Sequence, residues 1–450
     1  MRNPYTTGGW VTGQEFYGRE ALIKHLLESP NNAFWVIGNR RVGKTSLLRQ
    51  LEHLTVDGKP YLPLYWDLQG IANLDDLAHE LVFAVEESKE RFDKLAIDIS
   101  LLANWDVIGV IRMLRRYARA ADTTLLLLID EAEALLTIAE QDPLSLARLR
   151  KVIQAAQGLR VIMASTKVLS RLSDSDDIWQ TSPFLLGFSL ANLSGLQPEP
   201  AEALIRREQD EQTVEVSNRL VRQISRTTNN HPYLTQVLCS RLFEPEGRLR
   251  PITDQDLALD TVLQGYLNND FRWLSPTERQ TVLAVAQGHH TTEAVAAQTG
   301  HSQAVVEEFI FSLERLGQIR MISNEAHIGN EFLARWLKQN VEDLKMGLEA
   351  SEVTDRVTLE MIRAAQEQET RYLLRQLISR REDLARLELQ RSRYGLNPPS
   401  ELVDDLRHVK MEIKRLERRL SLIPPDLIES YDNEFQRLRM SGAENNPQDR

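Results

Sequence analysis

The run GNRRVGKT at 38–45 has the residue types and the spacing of a phosphate-binding loop, GxxxxGK[ST]. In such a loop Gly38 and Gly43 let the backbone turn its N–H groups toward phosphate oxygens. Lys44 reaches the β and γ phosphates and stabilises their charge during transfer, and the hydroxyl of Thr45 is a ligand of Mg²⁺. The pattern predicts a site for ATP together with Mg²⁺.

Two acidic residues follow the apolar part of a later run, LLLLIDEAE at 125–133. Asp130 would hold the Mg²⁺ through water, and Glu131 is placed to polarise the water that attacks the γ phosphate. A further apolar run, VIMAST, ends in Ser165 and Thr166, whose hydroxyls could reach the γ phosphate or that water. The alternative for each pair is an ordinary turn at the end of a strand. Because both pairs follow a phosphate-binding loop, we predict the catalytic role and hence ATP hydrolysis.

Five apolar runs, separated by helix-length segments, carry these motifs. Their hydrophobicity is nearly continuous, which is typical of strands buried on both faces of a parallel sheet. The runs are FWVIG at 34–38, YLPLYWDL at 61–68, TLLLLID at 124–130, RVIMAS at 160–165 and FLLGFSL at 184–190. We therefore predict an α/β fold with a parallel sheet of about five strands, forming a P-loop ATPase core at 1–195. A helical lid is predicted at 196–248, followed by a linker around EPEGRLRPIT.

Residues 253–340 have the pattern of a winged helix domain. SPTERQTVLAVAQ begins with a capping box, in which Ser275 is followed by a proline and then by Glu278. Two more helices are predicted to end at Gly300 and Gly317, and IRMISNEAHIG fits a two-stranded wing.

Residues 345–440 are predicted to form an antiparallel coiled-coil hairpin. An apolar heptad seam runs without a break through Leu402, Leu406, Val409, Ile413, Leu416, Leu420 and Ile423. A weaker seam of the same spacing precedes GLNPPS, whose prolines interrupt the helical pattern. The tail at 441–450 is predicted to be disordered.

These segments together resemble the prokaryotic signal-transducing P-loop ATPases called STAND proteins, in the neighbourhood of the AAA+ and archaeal origin-recognition ATPases. FYGRE at 16–20 is similar to that family's FxGRE segment, which implies that Gly18 and Arg19 pack along the adenine. RRVGKTSLL resembles the family's phosphate-binding loop, which implies that Arg41 and Ser46 also bind the nucleotide. The resemblance covers about residues 10–340.

TNNHPYLTQ resembles the lid motif of the same family, in which a glycine pair precedes HPY. The resemblance implies that His231 and Pro232 approach the nucleotide, with Pro232 against the base. Here Asn229 and Asn230 replace the glycines, and Asn tolerates the left-handed backbone that such a turn needs. Proteins of this family hold ADP in a closed state and form oligomers when ATP replaces it, so the resemblance implies a homo-oligomer that depends on ATP.

Size and composition limit the classes of function. At 450 residues the chain is too long for one compact core, and 42% hydrophobic with 26% charged residues is typical of a globular protein. One cysteine, Cys239, excludes an internal disulfide. The start of the chain has no signal-peptide pattern, and no run approaches the roughly 18 apolar residues of a membrane span. We expect a cytoplasmic protein without a membrane span.

The net charge of −11 opposes non-specific attraction to nucleic acid. Residues 253–340 contain 6 basic and 11 acidic residues, so the predicted winged helix lacks the charge that normally neutralises phosphates. We therefore expect nucleic acid to be an unlikely partner, and a separate effector or sensor protein to bind the C-terminal hairpin. The function predicted is a slow ATPase switch that controls oligomerisation and signalling, with bacterial defence as one setting. Two alternatives stay open: an origin-recognition-like AAA+ ATPase that acts on DNA, and a nucleotide-binding scaffold that does not hydrolyse ATP.

Overall fold

The computed structural model describes most of the chain and divides it into two compact units, 1–359 and 360–450. The described residues are 2–57, 59–93, 102, 104–154, 157–173, 185, 187–209, 213–346, 354–392, 394, 399–420, 423 and 428. The predicted tail at 441–450 lies outside them, as do residues 429–440 of the predicted hairpin.

A five-stranded parallel sheet forms the centre of the first unit, in the order β2-β3-β4-β1-β5. The strands are β1 (Ala33–Ile37), β2 (Tyr61–Asp67), β3 (Thr124–Asp130), β4 (Leu159–Ser165) and β5 (Ser189–Asn192). Every residue of β1 and β4 is buried, as expected for strands with helices on both faces. The predicted fold class is confirmed, and the parallel order brings the carboxyl ends of β1, β3 and β4 to one edge.

Seven helices of the described chain accompany the sheet. They are α1 (Glu20–Glu28), α2 (Lys44–Thr55), α3 (Leu74–Glu87), α4 (Lys89–Asp93), α5 (Val107–Ala120), α6 (Ala134–Gln141) and α7 (Pro143–Ile153). The helix α2 begins directly after the phosphate-binding loop, and its apolar side packs on the sheet through Leu47, Leu48 and Leu51. This packing fixes the loop between a buried strand and a buried helix.

Two local predictions differ from the structure. The run at 184–190 was predicted as a strand, but the strand covers Ser189–Asn192. Gly187 has a φ of +97°, and the N–H of Phe188 bonds the carbonyl of Leu185, so the described part of this run turns before the strand begins. The predicted linker instead contains a short antiparallel ribbon, β6 (Phe243–Glu244) and β7 (Arg248–Leu249).

Helices dominate the described part of the first unit after β5. Those in the predicted lid are α8 (Pro198–Arg206), α9 (Asn218–Thr228) and α10 (Pro232–Leu242). The next is α11 (Thr261–Arg272), and then come α12 (Pro276–Ala286), α13 (Thr292–Thr299) and α14 (Gln303–Arg315). The antiparallel hairpin of β8 (Ile319–Ile322) and β9 (Glu325–Ile328) precedes α15 (Glu331–Met346). One apolar core joins the lid helices to these elements.

Residues 275–328, here called the three-helix module, contain α12, α13, α14 and the β8–β9 hairpin. The predicted capping box is present, because Ser275 and Glu278 bond each other's backbone N–H groups. Gly300 and Gly317 have φ values of +78° and +71° at the ends of α13 and α14, as the predicted helix ends require. The order of elements agrees with a winged helix, and that name remains an interpretation.

Two long helices build the second unit: α16 (Asp355–Ser392), which begins five residues before the unit's first residue, and α17 (Ser400–Leu420). Their shared apolar cluster contains Leu373, Leu374, Leu377, Val409, Ile413, Leu416, Leu420 and Ile423. Ion pairs join Arg381 to Glu417 and Lys410 to Glu388, so residue numbers rise along one helix as they fall along the other. The described parts of the two helices are therefore antiparallel and use both predicted seams.

Of the helices that the structure describes, none combines the length and the apolar character needed to cross a bilayer.

Candidate nucleotide site

The phosphate-binding loop follows β1, and the N–H of Gly38 bonds the carbonyl of Ser165 at the end of β4. A Cβ at Gly38 would come within 2.8 Å of the carbonyl oxygen of Leu193, so the sheet leaves no room for another residue. Gly43 has a φ of +99° and begins α2. The ammonium of Lys44 donates to the carbonyls of Gly38 and Asn39, each at 3.1 Å. The loop thus has the backbone needed to direct N–H groups at an anion.

A cavity of about 720 Å³ opens beside this loop. Most of its polar lining comes from the loop and its surroundings: Arg40, Arg41, Gly43, Lys44, Thr45, Ser46, Gln69 and Glu131. Its apolar and aromatic lining includes Phe16, Tyr17, Val42, Leu196, Leu204, Pro232 and Tyr233. A volume of this size suits a small-molecule ligand, and a wall with both charged and aromatic residues suits a nucleotide.

The paired acidic residues lie at the end of β3. One oxygen of Asp130 accepts the N–H of Glu131 at 3.0 Å, and the other accepts the hydroxyl of Tyr65 at 2.9 Å. Glu131 has a φ of +47° and lines the cavity, and burial, with Glu133 as the next cause, raises the pKa of its carboxyl. Asp130 retains lone pairs for a further partner.

A carboxylate at Asp130 and the hydroxyl of Thr45 at the start of α2 offer the oxygen ligands that Mg²⁺ prefers. In the chemistry of its atoms this donor set fits the ion, and Asp130 itself is 1% exposed and does not line the cavity. Magnesium bound there would neutralise phosphate charge.

The two hydroxyl residues after β4 have different surroundings. Ser165 is fully buried, where its hydroxyl accepts from the indole N–H of Trp35 at 2.7 Å and donates to the carbonyl of Thr166 at 2.9 Å. The hydroxyl of Thr166 is buried and makes no hydrogen bond among the described residues. Its N–H bonds the carboxylate of Glu133. Of the two predicted hydroxyls, Thr166 is the one whose bonding capacity remains unused.

The GRE segment borders the cavity through its arginine. Arg19 lines the wall, and its guanidinium donates to the carbonyls of Ser194 and Gly195. Burial lowers its pKa to about 10. Gly18 faces away from the cavity wall: it has a φ of +74°, and a Cβ there would lie 2.7 Å from the Cβ of Pro200. Gly18 therefore supports the position of its neighbours rather than lining the cavity.

The lid turn keeps its shape without glycine. Asn229 and Asn230 have φ values of +51° and +55°, as the sequence suggested. The carbonyl of Asn230 accepts the N–H of Leu196 at 2.8 Å, which ties the turn to the end of the core. Pro232 lines the cavity.

His231 has a structural environment of its own. Its Nδ1 accepts the N–H of Leu234 at the start of α10, and its Nε2 lies 3.2 Å from the hydroxyl of Tyr266 on α11. Burial, with the charge of Arg19 as a second cause, lowers its pKa to about 3. The imidazole is therefore neutral near pH 7 and joins the lid to α11; it is absent from the cavity wall.

Arg41 and Ser46 both border the cavity and also contact its covering segments. The guanidinium of Arg41 lies over the ring of Tyr233, 4.4 Å from its centroid. The hydroxyl of Ser46 accepts the N–H of Val11 at 3.2 Å. Residues 6–11 also line the cavity, and no sequence motif predicted this contribution.

The region from α11 through α14 reaches the phosphate-binding loop at two points. The side-chain amide of Asn39 donates to the carbonyl of Leu316 at 2.8 Å. The N–H of Arg40 donates to the carboxylate of Asp270, which lies on α11, at 3.3 Å. Burial raises the pKa of Asp270 to about 7, although Lys44 and the Arg40 N–H act in the opposite direction.

A third contact reaches the segment after β4. The ammonium of Lys167 lies 2.5 Å from the carboxylate of Glu278, and both side chains are almost completely buried. Glu278 also accepts the N–H of Ser275 and the hydroxyl of Ser312, each at 2.9 Å. Sequence analysis identified Glu278 only as a helix cap, because the position of Lys167 opposite it depends on tertiary structure.

Comparisons with known proteins concern the domain and the fold that carry this site. Residues 27–172 match the family model described as an AAA domain. No curated protein matches the sequence. The fold is similar to that of the Walker-type ATPase PABY2304 of Pyrococcus abyssi, at 17% identity and a TM-score of 0.55, over 74% of this chain and 99% of that one. A likeness at this identity shows the fold.

Two weaker similarities belong to origin-recognition proteins. The Aeropyrum pernix ORC2 protein, in complexes with ADPNP and ADP, is 12% identical with a TM-score of 0.48, over 78% of this chain and 99% of that one. The Drosophila ORC bound to DNA is 14% identical with a TM-score of 0.35, over 71% of this chain and 93% of that one. The expectation that nucleic acid is an unlikely partner stays a prediction. The chain carries an AAA domain within a P-loop ATPase fold.

Proposed function

We propose that this protein is an ATP-dependent switch of the STAND type, which binds ATP with Mg²⁺, hydrolyses it slowly and forms homo-oligomers in its ATP state. The observation that carries the proposal is that one region, from α11 through α14, contacts both the phosphate-binding loop and the segment after β4. Asn39 and Arg40 provide the first contact, and Lys167 provides the second. A nucleotide bound at the loop would therefore bias the position of this region.

The residues of the site divide the work of binding and hydrolysis. The loop N–H groups and Lys44 hold the phosphates, with Thr45 and Asp130 as the side chains that would hold Mg²⁺. Glu131 borders the cavity with a raised carboxyl pKa, which suits a group that accepts a proton from the attacking water. Thr166 has a buried hydroxyl that makes no hydrogen bond among the described residues, and its proposed role is to position that water or the γ phosphate.

We propose that the ATPase signals its nucleotide state to a separate polypeptide. The antiparallel helices of the second unit present exposed Tyr372, Leu389 and Met411 beside their shared apolar seam. Exposed apolar side chains on a long helical pair suit docking to a separate effector or sensor protein. Bacterial defence is one setting for such a switch, and the cytoplasm is its proposed location.

The mass of the particle in solution tests the switch. Light scattering is carried out on the full chain with ADP, ATP or a non-hydrolysable ATP analogue, each with Mg²⁺, and phosphate release is followed in parallel. We expect the analogue to produce an oligomer, Lys44→Ala to abolish it, and Glu131→Gln to make it persist in ATP while phosphate release falls. Lys24→Ala is the matched control, because Lys24 lies on the exposed side of α1.

The same experiment, together with a measurement of duplex-DNA binding at several salt concentrations, separates the alternatives. A monomer with every nucleotide, in wild type and Glu131→Gln alike, would contradict the switch. Binding to duplex DNA that weakens with salt would support a protein of the origin-recognition type. Nucleotide binding without phosphate release, while Asp130 and Glu131 are intact, would support the scaffold.

A further inference from the structure

The carboxylate of Asp270 is bonded to a backbone N–H of the phosphate-binding loop, a kind of group that normally binds phosphate. Its Oδ1 accepts the N–H of Arg40, within the phosphate-binding loop, at 3.3 Å. Its Oδ2 is buried without a hydrogen bond of normal geometry among the described residues, and the hydroxyl of Tyr266 on the same helix also interacts with this carboxylate. Asp270 is 5% exposed, and Lys44 attracts it electrostatically. A carboxylate thus shares the loop with the groups that bind an anionic ligand.

The position of Arg40 indicates which phosphate the carboxylate opposes. The N–H groups at the start of α2, around Thr45, face the α and β phosphates in such loops, whereas the lysine reaches on to the γ phosphate. Arg40 lies in the first half of the loop, away from the start of α2. The Asp270 carboxylate, which is bonded to Arg40 and attracted by Lys44, is therefore at the γ end of the cradle.

We propose that Asp270 determines whether the phosphate-binding loop, while it is bonded to Asp270, accepts a nucleoside diphosphate or a triphosphate. Two like charges cannot share one loop without a large electrostatic cost, so a γ phosphate and the Asp270 carboxylate compete for the same N–H and for Lys44. ADP leaves that end free for the carboxylate, whereas ATP must move Asp270 and with it α11. This inference rests on the proposed nucleotide site and names the residue that distinguishes its two ligands.

The contacts of α11 connect this competition to the lid. Tyr266, one helical turn before Asp270, has its hydroxyl 3.2 Å from Nε2 of His231, the residue that caps α10. Its ring also lies edge-on to that of Tyr233, at 5.7 Å between centroids. The guanidinium of Arg41 lies over the ring of Tyr233. A shift of α11 would therefore disturb the lid contacts that border the nucleotide.

Binding affinities measured on the full chain test the proposal. Calorimetry at pH 8 with Mg²⁺ compares ADP with a non-hydrolysable ATP analogue, since at this pH Asp270 is mostly charged. We expect the wild type to bind ADP more tightly than the analogue. Asp270→Asn and Asp270→Ala should each raise the affinity for the analogue relative to ADP by roughly 10-fold or more, whereas Asp270→Glu should keep the preference.

Asp260→Asn is the matched control, because Asp260 caps the start of the same helix and Asn caps equally well. It should leave the affinity ratio unchanged. A wild type that binds both nucleotides equally, or a ratio that neither neutral variant shifts, would overturn the role of Asp270. The absence of nucleotide binding, or binding that survives Lys44→Ala, would instead overturn the proposed nucleotide site.

Discussion

Asp270 and Glu278 lie on the neighbouring helices α11 and α12 and both contact the ATPase core. Their hydrogen-bond and ion-pair partners there differ. Glu278 meets the ammonium of Lys167 and accepts two further hydrogen bonds. Asp270 receives one backbone N–H and interacts with the hydroxyl of Tyr266, and among the described residues no hydrogen bond of normal geometry reaches its Oδ2. Burial raises the pKa of Asp270 to about 7.

The difference indicates two functions for two buried carboxylates. A buried ion pair whose hydrogen bonds are satisfied resists separation, since removing one partner leaves an uncompensated charge. A buried carboxylate with an unsatisfied oxygen is held weakly and can be replaced by a better ligand of the same site. The Lys167–Glu278 pair therefore acts as the fixed attachment of the three-helix module, and Asp270 as the contact that a nucleotide can change.

The largest expected effect comes from breaking the fixed attachment. Glu278→Gln removes the carboxylate that the buried Lys167 contacts and leaves the charge of Asp355 acting on it, and it should lower the free energy of unfolding by about 3–5 kcal/mol. Chemical denaturation of the nucleotide-free protein measures it. The double variant Lys167→Met with Glu278→Gln should recover part of this loss because no charge is then stranded. Lys24→Met, at an exposed position, is the control, and a loss from Glu278→Gln no greater than that of the control would refute the attachment.

The next prediction concerns Asp270→Asn, which should raise the free energy of unfolding relative to wild type instead of lowering it. The pKa of Asp270 is raised from 3.8 to about 7, so its proton favours the folded state and stability is lost as the pH rises from about 4 to about 7. Asp270→Asn removes this loss, and its advantage over the wild type should grow by about 2–3 kcal/mol between pH 5 and pH 8. Lys44, Arg40 and Tyr266 are the other charged or titratable groups that act on this carboxyl. Parallel pH dependence in both proteins would mean that Asp270 is not held in this way.

The smallest effect concerns the connection between α11 and the lid. Tyr266→Phe removes the hydroxyl that lies 3.2 Å from His231 and also interacts with Asp270, and it should lower the free energy of unfolding by about 1 kcal/mol. The ring remains, so its packing against Tyr233 is preserved. Urea denaturation of the variant beside wild type measures the loss. Unchanged stability would indicate that the hydrogen bond contributes nothing to the connection.

The sequence was sufficient for the parts of the site that lie on consecutive residues. The loop from Gly38 to Thr45 and the acidic pair at Asp130 follow strands whose apolar runs are themselves visible. The parallel sheet then dictates that the ends of these strands meet at one edge. The helix start at Ser275 could be predicted because a capping box is a local pattern.

The remaining contacts join residues far apart in the chain. Asp270 bonds a residue 230 positions before it, and Lys167 and Glu278 are separated by 111 positions. Neither aspartate nor glutamate has a local pattern that reveals a distant partner. Ser165 and Thr166 were predicted together, but the indole of Trp35 on a neighbouring strand engages only Ser165. Such distinctions arise from packing between elements.

Hydrogen exchange of residues 261–286 tests the central claim most directly, because this segment contains both Asp270 and Glu278. The full chain is compared with ADP and with a non-hydrolysable ATP analogue, each with Mg²⁺, and Lys44→Ala is the control that cannot respond to either. The account predicts that the analogue increases exchange in α11 while ADP leaves it protected, and that Lys44→Ala shows no difference. Equal protection of α11 with both nucleotides, at concentrations that saturate the site, would contradict it.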